Sequence, residues 1–310
     1  MKQQKFQLNK FAWHNLSDNS DEEIRYLRDN FEFELGHLTD CANPPLRPKI
    51  DLAEKYIFIV LLFPVYNKKS GIASISEIDI FANKDMVVTV HKDEVNVMRD
   101  LAQKMENEPR FKEKYQSKDC IHFLLDLLEE LDVSLYPMLN HISWDIDSID
   151  NQLFTGRERE LINKILNIKR NIVAIRKTMR SQKNVLEELE EYAKDYFGSR
   201  SIGKSEQMQF LRIINLSSDL WVHLENHMAT IDAIQETNES LIGFRLNDIM
   251  KTLTIFSVIV FPLTLLAAIF GMNTIEGMPF MGNFGFWKVM GVMLIGVVFM
   301  FYFFKSRKWV

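Results

Sequence analysis

The sequence has little of what small exported proteins use to stabilise themselves. Its only cysteines are Cys41 and Cys120, which excludes a disulfide framework and a four-thiolate zinc site. The net charge is −5, which argues against the basic face that non-specific nucleic-acid binding requires. The N-terminal segment MKQQKFQLNKFAWHNL lacks the apolar stretch of a signal peptide. We therefore expect residues 1–250 to stay in the cytoplasm.

Apolar residues are instead concentrated near the C-terminal end. Hydrophobic residues make up 47% of the chain, too many for a disordered protein, and charged residues make up 25%, too many for one lying wholly in a bilayer. Residues 252–271 and 289–304 contain no charge, and the flank GFWK extends the second run. A transmembrane helix needs about 20 predominantly apolar residues. The pattern predicts two membrane spans.

Basic residues flank these two runs on one side only. Lys251 precedes the first run and the tail 305–310 is basic, whereas the connection 272–286 contains Glu276 but no Lys or Arg. Lys288 lies one turn inside the second run and can snorkel outward. Because Lys and Arg are enriched on the cytoplasmic side, both termini are predicted to be cytoplasmic and the connection external.

The first part of the chain, residues 1–120, mixes strand and helix patterns and predicts an α/β domain. The apolar run 56–63 predicts a buried strand that ends at Pro64. Alternation over 75–81, with Ile75, Ile78 and Ile80 apolar, predicts a further strand. The other strand patterns cover 11–16, 31–35 and 86–91, and a helix pattern covers 20–29.

Helical periodicity dominates the remainder. Residues 121–205 predict a long helical hairpin, and residues 206–271 predict one stalk helix that continues into the first span, 252–271. Such a helix would be about 100 Å long and unstable alone, so we expect partners along its length. The predicted order is completed by an external loop at 272–286, a second span at 287–304 and a basic tail at 305–310.

Two spans are too few to enclose a polar path, so a pore would need several copies around an axis. The first span has a stripe of side chains three and four residues apart, with apolar rings between polar or small ones. This suits a water-filled path with a hydrophobic gate, although close packing of transmembrane helices also favours small and hydroxylated residues. The stripe comprises Asn247, Met250, Thr254, Ser257, Phe261, Thr264, Ala268 and Gly271, with Leu253 adjacent.

The stripe contains no acidic, basic or histidine side chain within the membrane. The usual sign of a proton relay is therefore missing. A passing cation would meet amide, hydroxyl and carbonyl oxygens, which suit a hard ion that keeps its water, such as Mg²⁺.

The first span ends in Phe270-Gly271-Met272-Asn273, within KTLTIFSVIVFPLTLLAAIFGMNTIEGMP. This segment resembles the CorA family of divalent-cation transporters, whose signature is a Gly-Met-Asn triplet closing the first of two C-terminal spans. The resemblance is specific in its motifs over residues 240–310. In the rest of the chain only the order of the predicted elements is similar. It implies a homopentameric funnel in a prokaryotic inner or plasma membrane, Mg²⁺ entry with Co²⁺ or Ni²⁺ also carried, and gating by intracellular Mg²⁺. It implies neither enzymatic activity nor a prosthetic group.

The resemblance also implies roles for single residues. Asn273 would form the external ring that meets hydrated Mg²⁺, and Gly271 and Met272 would shape its turn. Polar pore rings would come from Asn247 and Thr264. The cytoplasmic-side constriction would come from Met250 and Leu253.

Four positions depart from the family pattern: Phe261, Ala268, Phe270 and Phe280. Phe280 stands where the loop usually has Glu, so an acidic ring would have to come from Glu276. These departures bear on ion choice and rate more than on fold.

Several alternatives remain open. One is Zn²⁺ transport, as in the zinc branch of the same family, which the pore stripe does not separate from Mg²⁺ transport. Another is a non-conducting membrane-anchored sensor or scaffold that keeps the fold. His223 and His227, four residues apart, form a possible Zn²⁺-binding pair or merely solvated histidines. The acidic residues on the helices are candidates for regulatory Mg²⁺ sites or solvated faces: Asp145, Asp147, Asp150, Glu187, Glu188, Glu190 and Glu191.

Overall fold

The computed structural model describes residues 3–18, 20–43, 47–67, 71–198, 202–272, 279, 284–307 and 309, without the side chains of Asn67, Arg180 and Ser181. The chain divides into two compact units, Met1–Gln235 and Glu236–Val310. We call them the α/β unit and the span unit.

A six-stranded mixed sheet forms the centre of the α/β unit, in the order β1-β2-β6-β5-β4-β3. Strands β2 and β6 pair in parallel, and the other neighbouring strands of this sheet are antiparallel. This parallel pair was not predicted, because the alternation within a strand says nothing about its neighbours. The strands are β1 Gln3–Gln7, β2 Ala12–Leu16, β3 Lys49–Leu52, β4 Ile57–Asn67, β5 Ile72–Ala82 and β6 Met86–His91.

The predicted end of a strand at Pro64 is wrong, because β4 continues through it to Asn67. The short strand β3 pairs only with residues 57–60, so at Pro64 strand β4 has β5 on one side and no β3 on the other. A strand with a free edge tolerates a residue that cannot donate a ladder hydrogen bond.

Helices α1 to α4 surround the sheet: α1 Asp21–Asn30, α2 Leu35–Ala42, α3 Asn96–Asn107 and α4 Pro109–Gln116. The predicted strand at 31–35 is wrong. Phe31 and Phe33 stack with ring centroids 5.1 Å apart, and Phe33 stacks on Phe81 at 4.0 Å. The amide of Glu34 donates to the Tyr56 hydroxyl at 2.8 Å as α2 begins. The alternating aromatic residues therefore anchor a connection onto the sheet and do not join it.

The next segment contains three helices, α5 Cys120–Val133, α6 Tyr136–Asp150 and α7 Glu158–Phe197. The interruption after α5 coincides with a proline in the first turn of α6, where its missing N–H costs nothing. Gly156 precedes α7 with φ +92°, a conformation that favours glycine. Helix α7 packs against β3, β4 and β5.

Helix α8 runs without a break from Lys204 to Phe270, and α9 covers Gly285–Ser306. Both are long and apolar enough to cross a bilayer, with mean hydropathies of 2.5 and 2.0 over their most apolar stretches. None of that stretch in α8 and 6% in α9 is buried. A core helix of a water-soluble protein would be mostly buried, so exposure of this kind favours a lipid surrounding.

Candidate functional site

The predicted stripe on α8 lies on the more exposed side of the first span. Met250, Leu253 and Phe261 are 59%, 58% and 70% exposed. Thr254, Thr264 and Ala268 are also exposed, and Ser257 is half-buried. At 3.6 residues per turn the opposite side carries a half-buried row: Ile255, Ile259, Leu263, Leu266 and Phe270.

The hydroxyl groups of the stripe donate to their own helix. Thr254 donates to the Met250 carbonyl at 2.8 Å, and Ser257 donates to that of Leu253 at 2.9 Å. Thr264 likewise donates to the Val260 carbonyl at 2.9 Å. Each hydroxyl proton is thus used inside the helix, and the oxygen lone pairs remain as acceptors. Acceptors are what the outward-pointing hydrogens of a hydrated cation require.

Pro262 modifies the backbone in the middle of this stripe. It has no N–H to donate to the carbonyl of Val258, four residues earlier, so one bond of the helical ladder is missing. Phe261 directly precedes it and is the most exposed apolar side chain of the stripe. A bulky ring therefore stands next to a weakened point of the helix.

The end of the span is a tight turn at Gly271. Its amide donates to the Ala267 carbonyl at 2.9 Å, and the Met272 amide donates to the Ile269 carbonyl at 3.3 Å. A Cβ at Gly271 would lie 3.1 Å from the Ala267 carbonyl oxygen, tighter than most such contacts. Glycine fits this turn, and Met272 is 56% exposed beyond it. The predicted site residues Asn273 and Glu276, and Phe280, lie outside the described residues.

The acidic residues that were candidates for regulatory metal sites lie on solvated helix faces. Asp145, Asp147 and Asp150 are exposed on α6, and Glu187 pairs with Lys183 one turn away at 3.8 Å. Among the described residues no group of three or more His, Cys, Asp or Glu side chains is arranged to hold a metal ion.

Two buried carboxyl groups were missed by the sequence patterns. Glu77 and Asp79 alternate with Ile78 and Ile80 on β5, a pattern typical of a strand with one solvated face, yet their side chains are only 8% and 2% exposed. Helix α2 covers Asp79, and burial together with the neighbouring Glu77 carboxylate raises the pKa of Asp79. The alternation was correct, but helices cover both faces of the sheet.

A third buried acid lies at the end of α5. Asp132 is completely buried and accepts a hydrogen bond from Gln182 Nε2 on α7 at 2.7 Å, while its Oδ2 has no partner. Burial raises the pKa of Asp132 to about 7. The sequence signal for its burial was its position four residues after Leu128, on the apolar face of the same helix.

Comparison with known proteins covers almost the whole chain. The profile of a family described as "CorA-like Mg2+ transporter protein" matches residues 9–306. The cobalt/magnesium transport protein CorA of Thermotoga maritima is 26% identical over 274 residues, which are 88% of this chain and 75% of that protein.

Two solved structures are informative about the fold. The complete structure of the CorA magnesium transporter from Methanocaldococcus jannaschii superposes with a TM-score of 0.82 at 21% identity, covering 97% of this chain and 92% of that one. The ZntB cytoplasmic domain from Vibrio parahaemolyticus superposes with a TM-score of 0.60 at 14% identity, covering 76% and 89%. The predicted fold class, an α/β unit followed by a long helix and a C-terminal apolar helix, is confirmed.

Proposed function

The chain belongs to the CorA family, and on that premise we propose that it admits Mg²⁺ to the cytoplasm through a pore formed by five copies, with Co²⁺ and Ni²⁺ also carried. Membership makes it a divalent-cation transporter of the membrane, channel-like and not an enzyme. Entry is passive and follows the electrochemical gradient. The membrane is the inner or plasma membrane of a prokaryote, with both termini cytoplasmic, since Lys251 and Lys305 flank the spans on that side.

The observation that carries the proposal is the exposed stripe of α8, whose hydroxyl protons are used within the helix. Five copies around an axis would place five such stripes around a path that offers hydrogen-bond acceptors and no fixed charge. Mg²⁺ gives up its water reluctantly and is held by oxygen atoms. A path of this kind interacts with the hydration waters and does not strip them.

We assign roles along the path in order. Asn273, with Glu276 nearby, forms the external ring, and five amide oxygens there accept hydrogen bonds from the hydrated ion. Gly271 and Met272 shape that turn. Thr264 and Asn247 form inner polar rings. The apolar rings of Phe261, Met250 and Leu253 form constrictions that dewet when narrow.

Closure depends on internal Mg²⁺ in this proposal. Acidic side chains brought together between copies repel one another, and Mg²⁺ bound between them removes the repulsion and favours the closed state. The exposed carboxylates of α6 and α7 belong to the surface available for such contacts.

Transport into liposomes tests the proposal. Purified protein is reconstituted with an internal Mg²⁺-sensitive dye, and wild type, Asn273→Ala and the control Asn107→Ala are compared. Asn107 is exposed at the end of α3, so its replacement should leave uptake unchanged, whereas Asn273→Ala should abolish it. Absence of uptake by wild type, or uptake indifferent to Asn273→Ala, would contradict the proposal and favour a non-conducting sensor or scaffold.

A second candidate is Zn²⁺ transport. The observation in its favour is the superposition of 76% of this chain on the ZntB cytoplasmic domain. The same liposomes loaded with a Zn²⁺-sensitive dye decide between them. Zn²⁺ flux greater than Mg²⁺ flux at equal gradients would establish the second candidate.

A further inference from the structure

We propose that His223 and His227 form a two-histidine site on α8 for a borderline transition-metal cation such as Ni²⁺, Co²⁺ or Zn²⁺, which Mg²⁺ does not occupy. The site lies in the α/β unit, outside the membrane. It goes beyond the proposed transport function and does not require the pore to conduct.

The helix places the two imidazoles side by side. Residues 223 and 227 are four apart in an uninterrupted helix, so their Cα atoms are separated by about 6 Å along one face. His223 is exposed and His227 half-buried, so both are accessible to a cation from solvent. The ring of Tyr136, at the start of α6, stands edge-on to His223 with centroids 6.4 Å apart. It forms one wall of the site.

These two histidines are also the ones whose ring nitrogens remain available together. Within the part of the chain that is described, neither takes part in a hydrogen bond or ion pair. The other five are committed elsewhere: His37 and His122 to carboxylates, His91 to polar core groups, His14 to a buried position and His141 to an aromatic cluster.

The electrostatic surroundings favour a bound cation. Asp147 on α6 lies within electrostatic range of His227. Asp219 lies one turn before His223 on the same face of α8, and its charge also acts on Tyr136. Two carboxylates therefore attract a divalent cation without occupying the imidazoles.

The ligand type decides which cation binds. Imidazole suits Zn²⁺, Ni²⁺, Co²⁺ and Cu²⁺, whereas Mg²⁺ selects oxygen ligands. With two protein nitrogens, water fills the remaining coordination positions. The site therefore distinguishes the transition-metal ions from Mg²⁺, which the hydroxyl and amide path of the first span is less suited to do.

Calorimetric titration of the full-length protein in detergent with Ni²⁺, in excess Mg²⁺, tests the proposal. His223→Gln and His227→Gln should each weaken this Ni²⁺ binding by about tenfold or more, since loss of a group that only orients a metal ligand already costs about 10–100-fold. Any Ni²⁺ bound in the pore would be the same in wild type and in all variants, so it would not contribute to the differences in binding between them. The matched control is His141→Gln. His141 is an exposed histidine of α6 that stacks on Tyr66 and stands edge-on to Trp144, and the variant should bind as wild type does.

A rescue variant guards against indirect effects. Asp219→His combined with His227→Gln recreates a pair four residues apart with His223, and it should restore Ni²⁺ binding. Equal Ni²⁺ binding by wild type and both single variants would overturn the proposal, as would the absence of Ni²⁺ binding by wild type in excess Mg²⁺. Failure of rescue with an intact circular dichroism spectrum would overturn it too.

Discussion

Large apolar side chains have opposite surroundings in the two units of this chain. In the α/β unit Trp13, Phe58 and Phe81 are completely buried. In the span unit Phe256 and Leu265 are 64% and 63% exposed. Burial of apolar surface away from water stabilises the first unit, whereas lipid already provides an apolar surrounding for the second. Large apolar residues therefore stabilise the core of the first unit, whereas in the second unit they form the surface that faces lipid.

The hydrogen-bond partners of polar side chains also differ between the two units. In the α/β unit they connect elements distant in sequence: Trp13 Nε1 donates to Thr89 Oγ1 at 3.0 Å and Gln182 to Asp132 at 2.7 Å. In the span unit the hydroxyls of Thr254 and Thr264 bond to carbonyls one turn earlier. A helix in lipid must satisfy its polar groups internally. In water-soluble units the same groups help to specify how elements meet.

The largest effect expected from this comparison is on core packing. Phe123 is 1% exposed and its ring lies 4.9 Å from Trp13 and 5.3 Å from Tyr115. Phe123→Ala should lower the free energy of unfolding by about 3–5 kcal/mol, through lost burial and a cavity. Urea titration in detergent, followed by circular dichroism, measures it.

The matched control is Phe256→Ala in the first span. Since Phe256 is exposed within its unit, its replacement should leave the urea midpoint within error of wild type. Equal losses in the two variants would remove the distinction between the units.

The next effect is a pH dependence confined to the α/β unit. Burial raises the pKa of Asp132 to about 7, above a value near 3.9 for an unfolded chain. The folded state then holds the proton to higher pH, so the contribution of Asp132 to stability is lost as pH rises from about 4 to about 7. Asp132→Asn keeps an acceptor for Gln182 and stays neutral throughout.

We expect Asp132→Asn to be more stable than wild type at pH 8 by roughly 2–4 kcal/mol, and similar to it near pH 4. Urea titrations of both proteins across that pH range give the difference in their free energies of unfolding at each pH. The other carboxylates contribute equally to both proteins and do not affect this difference. If the free energies of unfolding of the two proteins change with pH in the same way, Asp132 is ionised in the folded state at neutral pH.

A smaller loss is expected where a side chain holds a strand end. Asn171 of α7 accepts from the Ala73 amide at 2.9 Å and donates to the Gly71 carbonyl at 2.8 Å. Asn171→Ala removes the hydrogen-bond partner of both backbone groups, one at the start of β5 and one just before it, and should cost about 1–3 kcal/mol. The control is Asn167→Ala, exposed one turn earlier on the same helix.

Slower amide exchange of β5 in wild type than in Asn171→Ala, measured by mass spectrometry, would locate the loss. If Asn167→Ala has the same effect as Asn171→Ala, the hydrogen bonds of Asn171 are not its cause.

Local patterns predicted most elements of the α/β unit but not their neighbours. The alternation over 75–81 and the turn at Asn83, whose Oδ1 accepts from the Asp85 and Met86 amides, correspond to the hairpin of β5 and β6. Pro64 was misleading because whether a strand tolerates proline depends on which strand lies beside it. Glu77 and Asp79 were misleading because burial depends on helices far away in sequence.

For the candidate site, local spacing was sufficient to predict which residues lie together. The stripe of α8 follows from residue spacing alone, since a straight helix fixes which side chains share a face. What spacing could not predict is the direction of the hydroxyl protons, which depends on carbonyls one turn earlier. The roles of Asn273 and Glu276 remain predictions.

The smallest expected effect on stability is also the sharpest test of the stripe. Thr252 and Thr254 are both exposed and make the same bond, to the carbonyls of Asp248 and Met250 at 2.9 and 2.8 Å. They differ in direction, because two residues correspond to about 200° around a helix. Replacement by the isosteric valine removes the outward oxygen lone pairs in each case and should leave the fold unchanged.

Only Thr254 lies on the stripe, so Thr254→Val should lower Mg²⁺ flux into liposomes by about fivefold or more, the factor that one hydrogen bond of about 1 kcal/mol represents. Thr252→Val should conduct as wild type does. If instead Thr252→Val lowers the flux and Thr254→Val does not, the path runs along the other face of α8. Equal effects would mean that neither hydroxyl faces the ion. The pair therefore separates a pore-lining hydroxyl from one that only satisfies its helix, which composition and spacing cannot do.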